Sequence, residues 1–173
     1  FASVPSIASR ILPSLLGQFV KESPELKISL YDDNSEAVMR MIENQQVDFG
    51  ISHLFDEQEH SDKEFIPIWE DQIGVVCPVD HPLTKYSQLD WKKLSRHRLI
   101  ANGTSRLLDS SEAKSVIEKS QFYVSNMISL IAMLEAGFGV TTLPWYAFPK
   151  DNPKLAFVAL AKPVVKRKIG IVM

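Results

Sequence analysis

Residues 26–52 have the sequence LKISLYDDNSEAVMRMIENQQVDFGIS, in which a helix pattern lies between two strand patterns. Residues 26–31 alternate apolar and polar side chains, as a half-buried strand does. Asp33, followed three residues later by Glu36, has the form of a capping box, and an apolar helix face over 38–42 follows it. Residues 48–52 form a second short strand pattern. This order predicts an α/β fold with a parallel sheet.

The order extends toward the N-terminus. Phe1 has the pattern of a strand end, and apolar residues spaced over 7–19 predict an amphipathic helix with Ser6 as its N-cap. Pro13 inside this pattern predicts a kink or a second helix start at Leu12, because proline costs about 3 kcal/mol in a helix interior. Pro24 is expected to end the helix.

Strand and helix patterns also alternate after residue 64. The charged run 56–64 has no periodicity and predicts a loop. Strands are predicted at 65–69, 73–77, 98–101, 121–124, 140–143, 155–160 and 168–172, and helices at 89–94, 110–119 and 127–135. Gly137 is expected in the left-handed conformation that ends the last of these helices.

Composition excludes several function classes. The 173 residues are 45% hydrophobic and 23% charged with a formal charge of -2, so disorder is not expected and there is no general field to attract nucleic acid. The single cysteine, Cys77, excludes an internal disulfide and lies in an apolar strand pattern, so we expect it in the core. No apolar run is long enough to span a bilayer. A cytoplasmic protein without membrane contact, metal or cofactor is therefore expected.

Hydroxyl and amide side chains follow most predicted strands, and two α/β units of this size are expected to enclose a cleft. In open parallel sheets, ligands bind beyond the carboxyl ends of the strands. A small anion is the expected ligand, because helix N-termini offer unpaired N–H groups and a partial positive charge.

Five segments, taken together in this order, resemble one family: ILPSLL at 11–16, VDFGI at 47–51, PIWED at 67–71, PVDHPL at 78–83, and LEAGFGV at 134–140 with Leu143 and Pro144. The chain resembles the effector-binding domain of LysR-type transcriptional regulators. The resemblance covers the whole chain and implies a two-lobed fold like the type 2 periplasmic binding proteins, with an inter-lobe cleft. The N-terminal winged helix-turn-helix of such regulators and their last helix lie outside this sequence, so we expect a fragment of a longer protein.

The resemblance also implies an organisation and partners. Residues 1–72 with 159–173 would form lobe I, and residues 73–158 would form lobe II. A small-molecule effector would bind in the cleft, a homodimer would form through lobe I with residues such as Val20, Leu30 and Met41, and the parent would be a tetramer. DNA would be bound only through the N-terminal domain.

The expected effector-binding residues come from loops that follow strands in both lobes. They are Ser3, Ser6, Asn34, Ser35 and His53 in the first lobe, and Asn102, Thr104, Ser105, Arg106, Ser125 and Asn126 in the second. Arg106 would pair with an effector carboxylate. For each residue an ordinary structural role, such as a helix cap worth about 1 kcal/mol, stays open.

Two other function classes stay open at this point. A periplasmic-type solute-binding protein for a small anion would share the lobes and the cleft. An enzyme would need a nucleophile with a base, paired carboxylates or a phosphate-binding glycine loop. Apart from Asp32 and Asp33, no such group is present, so no catalytic residue and no metal ligand is expected.

Overall fold

A computed structural model describes residues 1–53, 63–108 and 111–173. The predicted loop at 56–64 therefore lies almost wholly outside the described residues. The chain divides into two compact units, unit 1 with residues 1–70 and 168–173, and unit 2 with residues 71–167.

Unit 1 is built on short strands flanked by helices. Its elements in chain order are β1 (Ala2–Ser3), α1 (Pro5–Arg10), α2 (Leu12–Glu22), β2 (Tyr31–Asp32), α3 (Ser35–Glu43) and β3 (Gly50–Ser52). β1 pairs in parallel with β2 on one side and with β3 on the other. The end of β10 (Lys166–Val172) pairs antiparallel with β3, with Ile171 opposite Ile51.

The helix predicted over 7–19 is two helices, and the second starts at Leu12 as Pro13 indicated. Pro13 occupies the first turn of α2, where its missing N–H has no helical partner to lose. The predicted N-cap Ser6 is wrong, because α1 already starts at Pro5 and Val4 is its N-cap without a side-chain cap bond. Ser6 therefore lies buried in the first turn.

The capping box predicted from Asp33 and Glu36 is wrong, because the helix is capped one residue later than predicted. Asn34 is the N-cap of α3, and its side chain accepts a 3.0 Å hydrogen bond from the backbone N–H of Ala37. The Asp33 carboxylate instead accepts 2.7 and 3.0 Å bonds from the backbone and side-chain nitrogens of Asn34. The Asn34 side chain that caps α3 is thus itself held in place by the Asp33 carboxylate.

The strand predicted over 26–31 is shorter than expected. β2 covers only Tyr31–Asp32, because its neighbour β1 is itself two residues long. Residues 29 and 31 also hydrogen-bond to Phe1, since the Phe1 nitrogen donates to the Ser29 carbonyl at 2.9 Å and the Tyr31 N–H donates to the Phe1 carbonyl at 3.1 Å.

Unit 2 contains a mixed sheet with helices. Its elements are β4 (Phe65–Pro78), whose residues 65–70 belong to unit 1, and β5 (Gln88–Asp90), α4 (Trp91–Leu94), β6 (Leu99–Ala101), α5 (Ser111–Ile117), β7 (Phe122–Tyr123), α6 (Met127–Glu135), β8 (Val140–Pro144) and β9 (Leu155–Ala161). β6 pairs in parallel with β7 and β8, whereas β4 pairs antiparallel with β8 and β9. Gly137 has φ +70° after α6, as predicted.

β4 joins two strands that the sequence predicted separately, at 65–69 and 73–77. The intervening polar residues continue the strand because Asp71 is buried and ion-paired. Its Oδ2 accepts bonds from Arg167 Nη2 at 2.9 Å and Nε at 3.3 Å, and from the Tyr146 N–H at 3.3 Å. Burial lowers the pKa of the Arg167 guanidinium, and the Asp71 carboxylate opposes that shift.

The second boundary between the units differs from the predicted lobe division. Residues 159–167, which the resemblance would place in lobe I, belong to unit 2, and the first boundary between the units lies at 70/71 rather than 72/73. The reason is β9, which pairs with β4 from Leu155 to Ala159 and with β5 from Ala159 to Ala161. β9 lies in unit 2 because the residues it pairs with, 74–78 of β4 and 88–90 of β5, all belong to unit 2.

Each unit has its own apolar clusters. The largest cluster of unit 2 packs around the fully buried Trp91, and a second packs α6 against β4, β6 and β8. Unit 1 packs α3 against the sheet in one cluster and α1 with Leu12 in another. Among the described helices, none is long and apolar enough to cross a membrane.

Candidate functional site: polar groups at the strand ends

The carboxyl ends of β1 and β3 in unit 1 carry buried polar side chains. Ser3 ends β1 and is fully buried, and its hydroxyl donates a 3.3 Å bond to the Val4 carbonyl. His53 follows β3 directly and is 3% exposed. Because β1 and β3 are parallel neighbours, with Ser3 opposite Ile51, these ends lie at one edge of the sheet.

Ser35 and His53, predicted separately, lie in contact. The Ser35 Oγ is 3.1 Å from both ring nitrogens of His53. The hydroxyl donates to the unprotonated nitrogen or accepts from the protonated one, depending on the tautomer. Ser35 is the first residue of α3, so this pair fixes a hydroxyl and an imidazole beside a helix N-terminus.

Asn102 organises the corresponding edge of unit 2. It follows β6, is 3% exposed, and its Oδ1 accepts from the Thr104 N–H at 2.8 Å and from the Thr104 hydroxyl at 2.7 Å. Its Nδ2 donates to Thr141 Oγ1 at 2.8 Å and to the Thr142 carbonyl at 2.9 Å. The Ser105 hydroxyl accepts from the Asn102 N–H at 3.0 Å and completes a capping box on the 3₁₀ turn 103–107. This network holds the loop against β8.

Thr141 and Thr142 belong to this network, although the sequence placed them only at a strand end and not among the site residues. Both are buried, and the Thr141 hydroxyl donates to the Ile100 carbonyl at 2.6 Å. The available signal was the pair of hydroxyls inside the apolar strand 140–144. A threonine in such a strand needs a polar partner when it is buried.

The remaining predicted residues differ in their surroundings. Ser125 and Asn126 are exposed before α6, and Asn126 is its N-cap, with Oδ1 accepting from the N–H groups of Ile128 and Ser129 at 2.9 and 3.1 Å. The side chain of Arg106 lies outside the described residues, so its predicted role stays a prediction. The structure thus assembles Ser3, Ser35 and His53 on unit 1 and Asn102, Thr104 and Ser105 on unit 2.

The cysteine thiol and the carboxylate and imidazole groups are the side chains that redox and metal chemistry would use. Cys77 is fully buried in β4, and burial, with a smaller contribution from Asp80, raises the pKa of its thiol to about 11. Within residues 1–53, 63–108 and 111–173, no three His, Cys, Asp or Glu side chains are grouped so that they could hold a metal ion.

Comparison with known proteins identifies the family of this chain. A family profile described as the LysR substrate binding domain matches residues 1–173, and the chain therefore belongs to this family. The uncharacterized HTH-type transcriptional regulator YbhD of Escherichia coli K12 is 25% identical over 99% of this chain and 55% of its own length. The chain spans about half the length of the curated relatives it matches.

Solved effector-binding domains share the fold. The effector binding domain of QuiR, solved in complex with shikimate, has a TM-score of 0.82 at 20% identity and covers 99% of this chain and 84% of that chain. The regulatory domain of Synechocystis PCC6803 CcmR, in complex with 2-PG, has a TM-score of 0.82 at 18% identity, with 99% of this chain and 85% of that chain covered. The predicted type 2 periplasmic-binding-protein-like fold is thereby confirmed.

The family also decides between the function classes left open by the sequence. Its members are transcriptional regulators and not enzymes, in agreement with the prediction that the chain is not an enzyme. The chain is a ligand-sensing domain of the LysR type, and the solute-binding protein alternative is not favoured.

Proposed function

We propose that this domain senses a small organic anion, which contacts Ser3, Ser6, Asn34, Ser35 and His53 of unit 1 and Asn102, Thr104, Ser105, Arg106, Ser125 and Asn126 of unit 2. The observation that carries the proposal is the collection of buried hydroxyl, amide and imidazole groups at carboxyl ends of parallel strands in each unit. The predicted cleft location stays a prediction.

The helix N-termini are not equally suited to an anion. Asn126 already occupies the N–H groups of Ile128 and Ser129, whereas Asn34 occupies only that of Ala37. The N–H group of Ser35, the first residue of α3, therefore remains for a ligand, next to the Ser35 hydroxyl. In unit 2 the Thr104 hydroxyl donates its proton to the Asn102 Oδ1. It would therefore accept a hydrogen bond from the ligand, or would donate to the ligand only after its bond to Asn102 is broken.

Calorimetry with a panel of small carboxylates and phosphate esters tests this site, with shikimate and 2-PG as first probes because the two structural neighbours hold them. We expect Ser35→Ala to weaken the best ligand about tenfold or more, since a hydrogen bond to a charged group is worth about 1.5–3 kcal/mol. Ser14→Ala is the matched control, because Ser14 is exposed on α2 and, within the described part of the chain, its hydroxyl bonds to the Ile11 carbonyl alone. Equal affinity of both variants would reject the unit 1 site.

Arg106 is proposed to pair with a carboxylate of the effector. Arg106→Gln should then weaken the binding of a carboxylate ligand more than Ser35→Ala does, because a bidentate ion pair is stronger than a hydrogen bond from a neutral donor. Unchanged affinity across a salt series in both the parent chain and the variant would assign Arg106 to the solvated surface.

A homodimer through unit 1 is the second part of the proposal. An apolar groove of about 640 Å³ runs between α2 and residues 26–29. Leu15 and Phe19 on its rim are 55% and 48% exposed, and Val20 and Leu30 nearby are 46% and 37% exposed. One surface thus offers both an apolar ridge and an apolar groove, as a two-fold symmetric contact requires. Met41, by contrast, packs partly buried against the core of unit 1.

Sedimentation measures this contact. Phe19→Glu should convert a concentration-dependent dimer into a monomer, because it places a charge in a desolvated apolar contact. Val79→Glu is the control, since Val79 is 55% exposed in unit 2. A parent chain that stays monomeric at high micromolar concentration would contradict the proposal.

The parent protein is proposed to act in the cytoplasm as a tetramer that binds DNA through a separate N-terminal domain. The relatives support a separate DNA-binding domain, because they are HTH-type regulators nearly twice as long as this chain. Retardation of operator DNA by the full-length protein but not by this chain, at physiological salt, is the expected result.

A further inference from the structure

Unit 2 contains a small cavity at the amino ends of β6 and β7, at the opposite end of these strands from Asn102. The cavity has a volume of about 180 Å³. Its floor is apolar and is formed by Leu94, Leu99 and Val116, and its polar rim includes His97, Arg98 and Lys119. Arg98 directly precedes β6 and Asn102 directly follows it, so about 13 Å of extended chain separates them.

The cavity has positive charges and no carboxylate among its lining residues. In the described parts of the chain, neither Arg98 nor Lys119 has an acidic partner within ion-pair distance. Four of the thirteen Lys and Arg residues of unit 2 fall within 92–98, and the unit carries only eight Asp and Glu residues. Two cations without carboxylates at one concave site form an environment that favours an anion.

The Arg98 guanidinium is already oriented. Its Nη1 donates to the Phe138 carbonyl at 3.4 Å, and the group lies 5.1 Å from the centroid of the Phe138 ring. The Arg98 backbone is fixed as well, because its carbonyl accepts from the Val140 N–H at 2.9 Å and packs against Gly139, where a Cβ would lie 2.4 Å from that oxygen. The other guanidinium N–H groups remain available, so little side-chain freedom is lost when an anion binds.

We propose that this cavity is a second ligand site, which binds a small phosphate-type dianion independently of the effector. The size of the cavity suits a single phosphate or sulfate group, and its concave shape favours a small ion over the extended backbone of a nucleic acid. Arg98 supplies a planar donor pair, Lys119 a mobile point charge, and His97 a ring N–H as a further donor.

Calorimetric titration of the 173-residue chain with inorganic phosphate at low salt tests the site. We expect saturable binding with a Kd on the order of 1 mM, since the cations are exposed and screened. The double variant Arg98→Gln/Lys119→Gln should weaken binding about tenfold or more. Lys85→Gln is the control, because Lys85 is an exposed cation of unit 2 outside the cavity lining, and we expect its Kd within about twofold of the parent value.

Three results would overturn the proposal. The first is the absence of saturable phosphate binding by the parent chain. The second is equal weakening by Lys85→Gln and by the double variant, which would mean general charge attraction. The third is tighter binding of a short random-sequence DNA duplex that the double variant also loses, which would assign these cations to nucleic acid. Unchanged melting temperatures of the variants verify that the fold is intact.

Discussion

Asn102 connects more of unit 2 than any other side chain described above. Its amide bonds to Thr104, Thr141 and Thr142, residues that lie up to 40 positions apart from it in the chain. All of these bonds are buried or half-buried, so their loss leaves polar groups without water to replace them. Asn102→Ala should lower the free energy of unfolding by about 2–4 kcal/mol, measured by urea denaturation.

Asn126→Ala provides the comparison for this prediction. Asn126 also caps a helix, but it is exposed, and loss of an exposed cap costs about 1 kcal/mol. Similar destabilisation by the two substitutions would mean that the contacts of Asn102 to β8 contribute little.

The thiol of Cys77 should be inert in the folded chain. Burial raises its pKa to about 11, so at neutral pH it is a protonated thiol without solvent access. We expect alkylation by iodoacetamide at pH 8 only as fast as the chain unfolds, and fast alkylation in urea. Rapid modification of the native chain would reopen a redox role.

The same shift predicts a dependence of stability on alkaline pH. Because the folded-state pKa of about 11 exceeds the ordinary 9.0, the unfolded chain releases the thiol proton first as pH rises. The free energy of unfolding should therefore fall between pH 9 and 11 by more in the parent chain than in Cys77→Ala. Parallel curves for the two chains would exclude this contribution.

At the scale of the helices, two glycines should respond to alanine with opposite signs. Gly137 has φ +70° after α6, and Gly17 lies in the exposed interior of α2; an added Cβ would meet no atom within 4 Å at either position. Steric contact is thus absent in both cases. Gly137→Ala should destabilise by about 1 kcal/mol and Gly17→Ala should stabilise by up to about 1 kcal/mol, measured by thermal denaturation. Equal signs would contradict this account.

Elements with a strong local pattern could be predicted from the sequence. α6 has its predicted bounds, and the second helix start at Leu12 follows from Pro13 alone. The errors lie where a partner distant in the chain determines the outcome. Asp71 has the sequence pattern of a strand break, but the strand continues through it because Arg167, 96 residues later, neutralises its charge. Residues 26–30 are not part of a strand because β1 has only two residues with which they could pair.

The candidate site shows the same limit. Ser35 and His53 each follow a strand, so the sequence selects both, but their 3.1 Å contact depends on the packing of α3 beside β3. Thr141 belongs to the site because it bonds to Asn102, which lies 39 residues before it. A local sequence pattern cannot predict a contact over that distance.

At the scale of the whole molecule, the net charge of -2 conceals a separation of charge. Unit 1 carries six Lys and Arg against thirteen Asp and Glu, a net -7, while unit 2 carries thirteen against eight, a net +5. The expectation that the chain has no strong electrostatic field therefore holds for its total charge but not for each unit taken separately.

This separation gives the proposed dimer a salt dependence of known sign. Two copies that associate through unit 1 bring like charges together, so added salt should screen the repulsion and strengthen the dimer. Pairing of unit 1 with unit 2 of another copy would instead weaken with salt. Sedimentation equilibrium between 0.05 and 0.5 M NaCl distinguishes the two arrangements.

The division at 70/71 and 167/168 also fixes the order in which the units become complete during synthesis. Unit 2 is one continuous segment, and it is whole once Arg167 has left the ribosome. Unit 1 begins at the first residue but still lacks Ile169 and Val172, which are buried in its clusters, and the strand residues 170–172 that pair with β3. Because domains generally fold as units as they emerge, the unit encoded second in the gene is the first that can finish folding.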